Sequence, residues 1–272
     1  MCRFMKDVLT FIIPVRHPEN TWDTIQAKEF LTQTIRSISS QESDGWRAVI
    51  VANRGTDLPK LPPKFEVCFV DYPPNPLYGQ GTASREEWYE AIRIDKGRRL
   101  LSGMLSAAET SYFMSVDDDD FVSRRLTGHV TQNLGRNGWY FRSGYLWETG
   151  GRLLYLYNSF SSFCGTSHII RRDLYKLPDC AQSASQDYIR KMLGSHLFIA
   201  DRLRSSGAPL DPLPFPGAVY RIGGAGSASR SPGLMRKVFG NRGFVKSPIK
   251  VAGAIRRFRL LTEGFREEFF GV

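Results

Sequence analysis

Four consecutive aspartates, Asp117 to Asp120, follow the apolar stretch "YFMSV" at residues 112–116. Carboxylates only a few ångströms apart raise one another's pKa, so such a cluster is costly unless a positive charge lies among them. A divalent cation removes this conflict, and hard oxygen ligands suit Mg²⁺, Mn²⁺ or Ca²⁺. The Asp-x-Asp-x-Asp-Gly pattern and distal Glu of an EF-hand are absent, which argues against a structural calcium loop.

Two of the four aspartates have the spacing of a ligand pair. Side chains alternate along a strand, so we expect Asp117 and Asp119 to share one direction while Asp118 and Asp120 share the other. Two carboxylates leave coordination positions open for water and for substrate phosphates, as is typical of Mg²⁺ sites. The alternative without a metal is that these residues cap the next helix or lie solvated in a loop.

The elements that must carry this cluster follow an α/β order. Continuous apolar runs rich in β-branched residues are typical of strands covered on both faces, and apolar residues at helical spacing follow the capping residue Asp23. Residues 73–95 are polar and rich in proline and glycine, which predicts a long loop. The other predicted elements are strands over residues 8–15, 48–53 and 65–72 and helices after Asp23 and over about 96–109.

Polar residues stand where these strands end. In an open α/β sheet, ligands bind beyond the carboxyl ends of the strands. Arg16, Asn53 and Asp71 fall at such ends, as the aspartates do, so four strands direct polar groups toward one crevice. Three basic residues, Lys96, Arg98 and Arg99, open the predicted helix over 96–109 and are candidates for positive charge in the crevice. The alternative for all three is an exposed helix face, which we favour for two of them.

The second half of the chain has a different character. Residues 138–172 contain aromatic-rich strands, and residues 186–206 are helical with an interruption at Gly194. The aromatic side chains fit either a buried core or a wall for the flat faces of sugars. We predict one domain over residues 1–229, whose second half covers the crevice, and a basic, partly helical tail over 230–272.

The net charge of +10 is concentrated in that tail, where residues 230–259 contain nine basic and no acidic side chains. Such a segment fits an anionic lipid surface, an acidic polymer or nucleic acid, or is a solvated basic face. We favour peripheral membrane contact through residues 230–272 and predict no nucleic-acid partner. Four cysteines without a C-x-x-C pair favour reduced thiols, and the apolar N-terminal stretch is predicted to be a strand rather than a signal peptide. The expected location is the cytoplasm or the inner face of the membrane.

The stretch "SYFMSVDDDDF" resembles the strand and Asp-x-Asp motif of glycosyltransferases with the GT-A fold, in particular the inverting enzymes of family 2. The resemblance extends to about residue 229, since "LTFIIPVR" is similar to the family's first strand and "VIVANRGTD" to its second strand and nucleotide-binding turn. It implies an α/β, Rossmann-like GT-A fold with a mixed, mostly parallel central sheet flanked by helices. It also implies that Asp119 ligands the metal bridging the donor diphosphate, and that Asp117 contacts ribose or metal.

The same resemblance implies the cofactors, namely Mn²⁺ or Mg²⁺ and a nucleotide-sugar donor, with UDP as the expected nucleotide. Where the family has paired acidic residues on its second turn, this chain has Asn53 and Arg54. Asn53 or Asp71 would therefore recognise the nucleobase, or the nucleobase is a different one. The predicted donor-binding residues are Arg16, Asn53, Asp71, Lys96, Asp117 and Asp118.

An inverting transfer also needs a base that takes the proton of the acceptor hydroxyl. The family places an aspartate about eleven residues before a helix-ending glycine, and counting back from Gly207 leads to His196. Histidine titrates near neutral pH, so His196 is the predicted base or alternatively a metal ligand. The other reading of His196 is a hydrogen-bonded core histidine. Asp187 is the second candidate base unless it only caps its helix, and His168 is predicted to be packed within a strand.

These features predict a metal-dependent glycosyltransferase that transfers a hexose-type sugar, with inversion, from a nucleotide-sugar donor to a carbohydrate or lipid-linked acceptor. A sugar-nucleotide nucleotidyltransferase is one alternative, although such enzymes carry a glycine-rich basic loop where this chain has "RHPENTWD". A non-catalytic protein that binds a polyanion through the tail is the other. The sequence does not identify the sugar, the acceptor or the oligomeric state.

Overall fold

The computed structural model describes residues 7–78, 83–107, 109–223, 233–240 and 248–272, which form two β-sheets with flanking helices. The strands are β1 (Leu9–Pro14), β2 (Trp46–Asn53), β3 (Phe65–Val70), β4 (Tyr112–Ser115), β5 (Phe121–Val122), β6 (Gly138–Tyr140), β7 (Gly144–Glu148), β8 (Leu153–Tyr157), β9 (His168–Arg171), β10 (Asp211–Pro212), β11 (Ala218–Ile222) and β12 (Phe258–Leu260). The predicted strands over 8–15, 48–53 and 65–72 are confirmed as β1, β2 and β3.

The helices lie between and beyond these strands. Those described are α1 (Thr24–Ser39), α2 (Arg85–Ser106), α3 (Leu126–Gln132), α4 (Gln186–Tyr188), α5 (His196–Ser205), α6 (Leu234–Phe239), α7 (Pro248–Ile255) and α8 (Glu263–Phe265). π-helical turns continue α4 over Ile189–Leu193 and α8 over Arg266–Phe270. The predicted break at Gly194 is confirmed, because that glycine separates the π-helical turn from α5.

The larger sheet has seven strands in the order β10-β6-β9-β4-β1-β2-β3. β1 lies between β4 and β2 and pairs in parallel with both, so that Leu9 is opposite both Trp46 and Tyr112. β9 runs antiparallel to both of its neighbours. The sheet is therefore mixed, and the expectation of a mostly parallel sheet is wrong. The carboxyl ends of β1, β2 and β4 nevertheless meet at one edge.

Both faces of this sheet are covered, which explains the continuous apolar runs. Alternate residues of β1 point to opposite sides, so Phe11 packs in the cluster that includes Leu31 of α1, and Ile12 in the cluster that includes Met104 of α2. Both β1 side chains are fully buried. At Gly103 of α2 a Cβ atom would lie 2.6 Å from the side chain of Val51, so the helix approaches the sheet closely.

Helix α2 begins eleven residues earlier than the sequence pattern predicts. Ser84 and Glu87 form a capping box, in which the Ser84 hydroxyl accepts from the Glu87 amide and the Glu87 carboxylate accepts from the Ser84 amide. The predicted loop over 73–95 therefore ends at Ser84. This local signal was present in the sequence, but the high polarity of the first turns concealed it.

The smaller sheet has the order β12-β8-β7-β11-β5. Its outer strand β12 comes from the predicted tail and pairs antiparallel with β8. Phe270, near the C-terminus, is buried and lies 4.3 Å from Phe121 and 5.1 Å from Trp147 between ring centroids. The boundary at residue 229 stays a prediction, and residues 258–272 pack against the predicted first domain. Arg230, Arg242 and Lys246 of the tail lie outside the described residues.

None of the helices in the described ranges has the length and apolar character needed to cross a membrane.

Candidate functional site

The four aspartates form a turn rather than an extension of β4. The strand ends at Ser115, and the amide of Asp120 donates to the carbonyl of Asp117 at 3.1 Å. The hydroxyl of Thr34, on α1, lies 3.1 Å from the carbonyl of Asp118 and 2.8 Å from that of Asp120. The alternation predicted for a strand therefore does not apply here, and each carboxylate has its own surroundings.

Asp117 forms an ion pair with the ammonium group of Lys96 on α2. Its amide donates to Oγ1 of Thr166 at 2.9 Å. Burial alone would lower the pKa of Lys96, but the adjacent Asp117 carboxylate more than offsets this and the net pKa is raised, so the ammonium stays charged. A Cβ at Gly165 would lie 2.7 Å from the Lys96 nitrogen, so a larger residue there would displace the ammonium group of this pair.

Asp120 points into the protein and is fully buried. Its Oδ1 accepts from the amide of Arg221 at 3.3 Å, and its Oδ2 accepts from the thiol of Cys164 at 3.3 Å. Burial, followed by the charges of Asp119 and Asp117, raises the pKa of Asp120 well above its ordinary value. Asp120 thus anchors the turn from inside.

Asp118 and Asp119 line a cavity of about 210 Å³ together with Arg16, which follows β1. We call this cavity the aspartate crevice. Its other walls come from the N-terminal turns of α1 and from the segment after β2, including Gln26, Lys28 and Asp57. Three elements that are far apart in sequence therefore bring a guanidinium group and two carboxylates to one opening at the carboxyl edge of the sheet.

The charges in the crevice are unfavourable for the carboxylates as they stand. Burial, then the Asp118 and Asp117 charges, raise the pKa of Asp119 to about 7. Burial also raises the pKa of Asp118, although the nearby guanidinium of Arg16 acts in the opposite direction. A further cation placed between these side chains would remove this repulsion and stabilise both ionised forms.

Arg221, on β11 of the smaller sheet, holds the turn, a role that no local sequence pattern indicates. Its side chain is only 1% exposed, and its Nε donates to the carbonyl of Asp119 at 2.9 Å. Its guanidinium carbon lies 4.0 Å from the ring centroid of Phe30 and 4.7 Å from that of Phe121. Only the long-range packing of β11 against the turn brings these groups together.

The crevice contains two further side chains that the sequence analysis missed. Oε1 of Gln26 is buried and has no hydrogen-bond partner among the residues that the structure describes. Trp22 is 75% exposed although it lies on the crevice wall. A buried amide oxygen without a hydrogen-bond partner and an exposed indole both cost free energy in the protein without a ligand. A planar ligand with N–H groups would donate a hydrogen bond to the oxygen and cover the indole ring.

Asn53 and Asp71 lie outside the walls of the crevice. The Asn53 amide is used within the protein, since its Nδ2 donates to the carbonyl of Tyr72 and its Oδ1 accepts from Arg99, both at 2.7 Å. Arg99 is buried, so the expectation of an exposed helix face does not hold for it. Asp71 forms an exposed ion pair with Arg54 at 3.3 Å. Contacts of Asn53 and Asp71 with a nucleobase stay predictions.

His196 begins α5 and is half-buried close to the Lys96–Asp117 pair. Burial, followed by the Lys96 charge, lowers its pKa to about 4, which makes it a weak proton acceptor. Asp187 is exposed and forms ion pairs with Arg190 and Lys191, both at 2.8 Å. Its hydrogen bonds to these two cations lower its pKa. The structure thus brings His196, but not Asp187, next to the aspartate turn. His168 is buried at the start of β9, as predicted.

The residues of the crevice fit a divalent cation that is shared with a ligand. Among the described residues, no group of three or more His, Cys, Asp or Glu side chains is placed to hold a metal by itself. A Mg²⁺ or Mn²⁺ ion bound together with a diphosphate needs only one or two protein carboxylates. Asp118 and Asp119 supply them, and the raised pKa of Asp119 reports the charge conflict that a cation would remove.

Comparisons with known proteins complete the description of the site. No family model and no curated protein matches the chain. Among solved structures it is similar to S. aureus TarS 1-349, with a TM-score of 0.45, 14% identity, and coverage of 79% of this chain and 60% of that one. The same fragment in complex with UDP-GlcNAc gives 0.45, 12%, 83% and 62%.

A manganese complex of Rv0371C from Mycobacterium tuberculosis H37Rv gives a TM-score of 0.35, with 8% identity and coverage of 83% of this chain and 97% of that one. The present chain spans about 60% of the TarS fragment.

Proposed function

We propose that this protein is a glycosyltransferase that binds a nucleoside diphosphate sugar and a divalent cation in the aspartate crevice. The observation that carries the proposal is the meeting of Arg16, Asp118 and Asp119 at the carboxyl edge of the larger sheet. Carboxylates bind a cation, the cation and the guanidinium bind a diphosphate, and this combination is expected where ligands enter an α/β sheet. The likeness to nucleotide-sugar enzymes in the Asp-x-Asp stretch agrees with it.

Asp119 is the main proposed metal ligand. Its carboxylate faces the crevice and its charge is the one most strongly disfavoured in the absence of a cation. Asp118 faces the same crevice and is the second proposed ligand. Asp117, predicted from the sequence as Asp119's partner, is already neutralised by Lys96, so we propose that it holds the turn and contacts the ribose. When bound, the cation would act as a Lewis acid on the leaving diphosphate.

The nucleobase is proposed to bind at the α1 end of the crevice. The unpartnered Oε1 of Gln26 would accept an N–H of the base, and the indole of Trp22 would cover one of its faces. Base stacking on an aromatic side chain contributes about 1–3 kcal/mol and tolerates different bases. The N3–H of uracil is one suitable donor, so UDP remains the first nucleotide to test.

The proposed reaction breaks the bond between the anomeric carbon and the diphosphate oxygen and forms a bond from that carbon to an acceptor hydroxyl. The electron pair of the broken bond leaves with the nucleoside diphosphate, whose charge Arg16 is placed to stabilise. The acceptor loses its proton to a base. His196 and Asp187 stay predictions for that base, and inversion and a carbohydrate or lipid-linked acceptor belong to the same proposal.

A donor panel tests the proposal. Purified full-length protein is mixed with UDP-, GDP- and dTDP-sugars with and without Mn²⁺, and both the melting temperature and the release of nucleoside diphosphate are measured. We expect at least one donor to raise the melting temperature only when Mn²⁺ or Mg²⁺ is present, and expect Asp119→Asn to lose this effect. Asp57→Asn, a change on the same crevice at a side chain 75% exposed, is the matched control and should keep it.

Two outcomes would contradict the proposal. Folded protein that binds no nucleotide sugar in the presence of metal would exclude a donor site in the crevice. Formation of pyrophosphate from a nucleoside triphosphate and a sugar phosphate would instead indicate a nucleotidyltransferase. The polyanion-binding alternative predicts that Asp119→Asn leaves function intact, because the basic residues of the tail would carry it.

A further inference from the structure

A second, smaller cavity lies behind the aspartate turn, on the side of the larger sheet that α2 covers. Its volume is about 50 Å³, and its lining includes Ser115 at the end of β4, His168 at the start of β9, His196 at the start of α5 and Lys96 on α2, together with Tyr175 and Ser195. We call it the imidazole cavity. Four separate elements thus bring polar side chains to this small space.

Three polar atoms of this lining have no hydrogen-bond partner among the residues that the structure describes. They are Nε2 of His168, Nε2 of His196 and Oγ of Ser115, and all three are buried. One buried polar atom without a partner costs about 1–3 kcal/mol. Three such atoms in one cavity are therefore a strong indication that a small polar molecule joins them.

The hydrogen bonds around His168 decide which hydrogen-bonding partner its Nε2 needs. The hydroxyl of Ser167 donates to the carbonyl of Cys164 at 2.6 Å, so its oxygen is left to accept a hydrogen bond. Nδ1 of His168 lies 3.1 Å from that oxygen and is therefore the nitrogen that carries the proton. Nε2 of His168 must then present a bare lone pair to the cavity, and the occupant must donate a hydrogen bond to it.

The surroundings favour a neutral occupant over a cation. The ammonium group of Lys96 lines the same cavity, and its charge acts against a second cation there. Burial lowers the pKa of His168 to about 3 and, with the Lys96 charge, that of His196 to about 4, so both rings are neutral near pH 7. The volume of about 50 Å³ is large enough to hold a water molecule.

We infer that the imidazole cavity is a binding site for one ordered water molecule, which donates a hydrogen bond to Nε2 of His168 and also bonds Nε2 of His196 and Oγ of Ser115. Water suits either tautomer of His196, because it donates and accepts. Through this water, α5 and β9 are joined to the last residue of the strand that carries the aspartates. The inference does not depend on the proposed function.

The chain has four histidines, so imidazole NMR can test the site directly. In full-length protein labelled with ¹⁵N-histidine, we expect His168 to carry its proton on Nδ1, and the ring protons of His168 and His196 to show cross-peaks to a bound water. His17 is an internal control of the opposite tautomer, since its Nδ1 accepts from the Glu19 amide at 3.1 Å. His168 protonated on Nε2, or rings without water cross-peaks, would overturn the inference.

A titration and a pair of variants separate water from other occupants. One equivalent of Zn²⁺ should leave the His168 and His196 resonances unchanged. A joint shift of both resonances would show that the cavity binds a metal ion instead of water. His196→Leu should remove the water cross-peak of His168, and His196→Gln should retain it. Should the leucine variant fail to fold, Ser115→Ala serves instead and should weaken the same cross-peak; an unchanged cross-peak intensity there would count against the site.

Discussion

The two sides of the aspartate turn differ in charge and in size. On the α1 side, the aspartate crevice of about 210 Å³ contains Arg16 together with Asp118 and Asp119, whose pKa values are raised by burial and by neighbouring carboxylates. On the α2 side, the imidazole cavity of about 50 Å³ contains neutral rings behind the Lys96–Asp117 ion pair. The same four-residue turn thus separates a region suited to a charged ligand from a smaller one that we infer binds water.

The four carboxylates of the turn differ in how their charges are stabilised. Asp117 and Asp120 are bound by groups of the chain itself, so they stabilise the turn. Asp118 and Asp119 face the crevice, and burial and repulsion raise their pKa values although the Arg16 guanidinium acts in the opposite direction. A site that lowers stability in the free protein is expected where a ligand will supply the missing charge.

The largest expected effect is that of Asp119→Asn. If this carboxylate holds the cation, donor turnover should fall about a thousandfold, because metal-assisted charge stabilisation is worth several kcal/mol. The same change should raise the free energy of unfolding of the metal-free protein near pH 8 by about 1–2 kcal/mol, since it removes a carboxylate whose pKa is about 7. Turnover and urea unfolding measure the two effects, and a loss of both activity and stability would contradict the proposed role.

Lys96→Met should disturb both sides of the turn at once. Asp117 would lose its ion-pair partner, and we expect donor turnover to fall about a hundredfold, as for the loss of an electrostatic contact in an active site. Since the Lys96 charge lowers the pKa of His196, that pKa should rise in the variant. Donor kinetics and ¹⁵N-imidazole titration check the two regions. An unaltered His196 titration would show that they are not electrically connected.

Gln26→Leu should affect ligand binding in the aspartate crevice and leave the imidazole cavity unchanged. Loss of the buried acceptor should weaken binding of the nucleotide about tenfold, which corresponds to one hydrogen bond of ordinary strength. Isothermal titration of the free nucleoside diphosphate with Mn²⁺ measures this, and the His168 and His196 resonances should stay unchanged. Full nucleotide affinity in this variant would show that the nucleobase does not bind at the α1 end of the crevice.

The two histidines of the imidazole cavity should affect the dependence of stability on pH. His168 and His196 have pKa values lowered to about 3 and about 4, so the unfolded chain binds their protons first as the pH falls. Their contribution to stability is therefore complete above about pH 6.5 and is lost toward pH 4, by at most about 1.4 kcal/mol per pH unit for each ring. Asp119, whose pKa is raised, acts in the opposite direction.

Two variants isolate the contribution of His168 to the pH dependence of stability. The free energy of unfolding in urea is measured for Asp119→Asn and for a double variant that carries both Asp119→Asn and His168→Asn. The single variant should lose stability between about pH 7 and pH 5, and the double variant should lose less per pH unit. Equal slopes in the two proteins would mean that His168 is not the neutral buried ring that its surroundings indicate.

Asp187→Asn should have the smallest effect. Its carboxylate is exposed and paired with Arg190 and Lys191, so we expect turnover to change less than about twofold and stability by less than about 1 kcal/mol. A large loss of turnover would restore Asp187 as the base. His196→Gln is the companion test, because a base would lose at least about a hundredfold in turnover with a changed pH profile.

Much of the framework near the site was predictable from local patterns. The apolar runs of β1, β2 and β3 and the Asp23 cap of α1 each depend on neighbouring residues only, and the structure contains all four. The start of α2 was missed, although the Ser84–Glu87 capping box is local, because charged first turns resemble a loop in composition. Arg221 was missed for another reason, since nothing within its own segment marks it as a partner of the aspartate turn.

By itself, the sequence determined that a carboxylate cluster would stand at the end of a buried strand, with Arg16 at the end of another. Hydrophobic periodicity and chain order are sufficient for that, because they are local properties. Only the tertiary structure decided the direction of each carboxylate. A turn replaced the expected strand. Long-range contacts from Lys96, Cys164 and the Arg221 amide bind the carboxylates of Asp117 and Asp120, whereas Asp118 and Asp119 face the crevice.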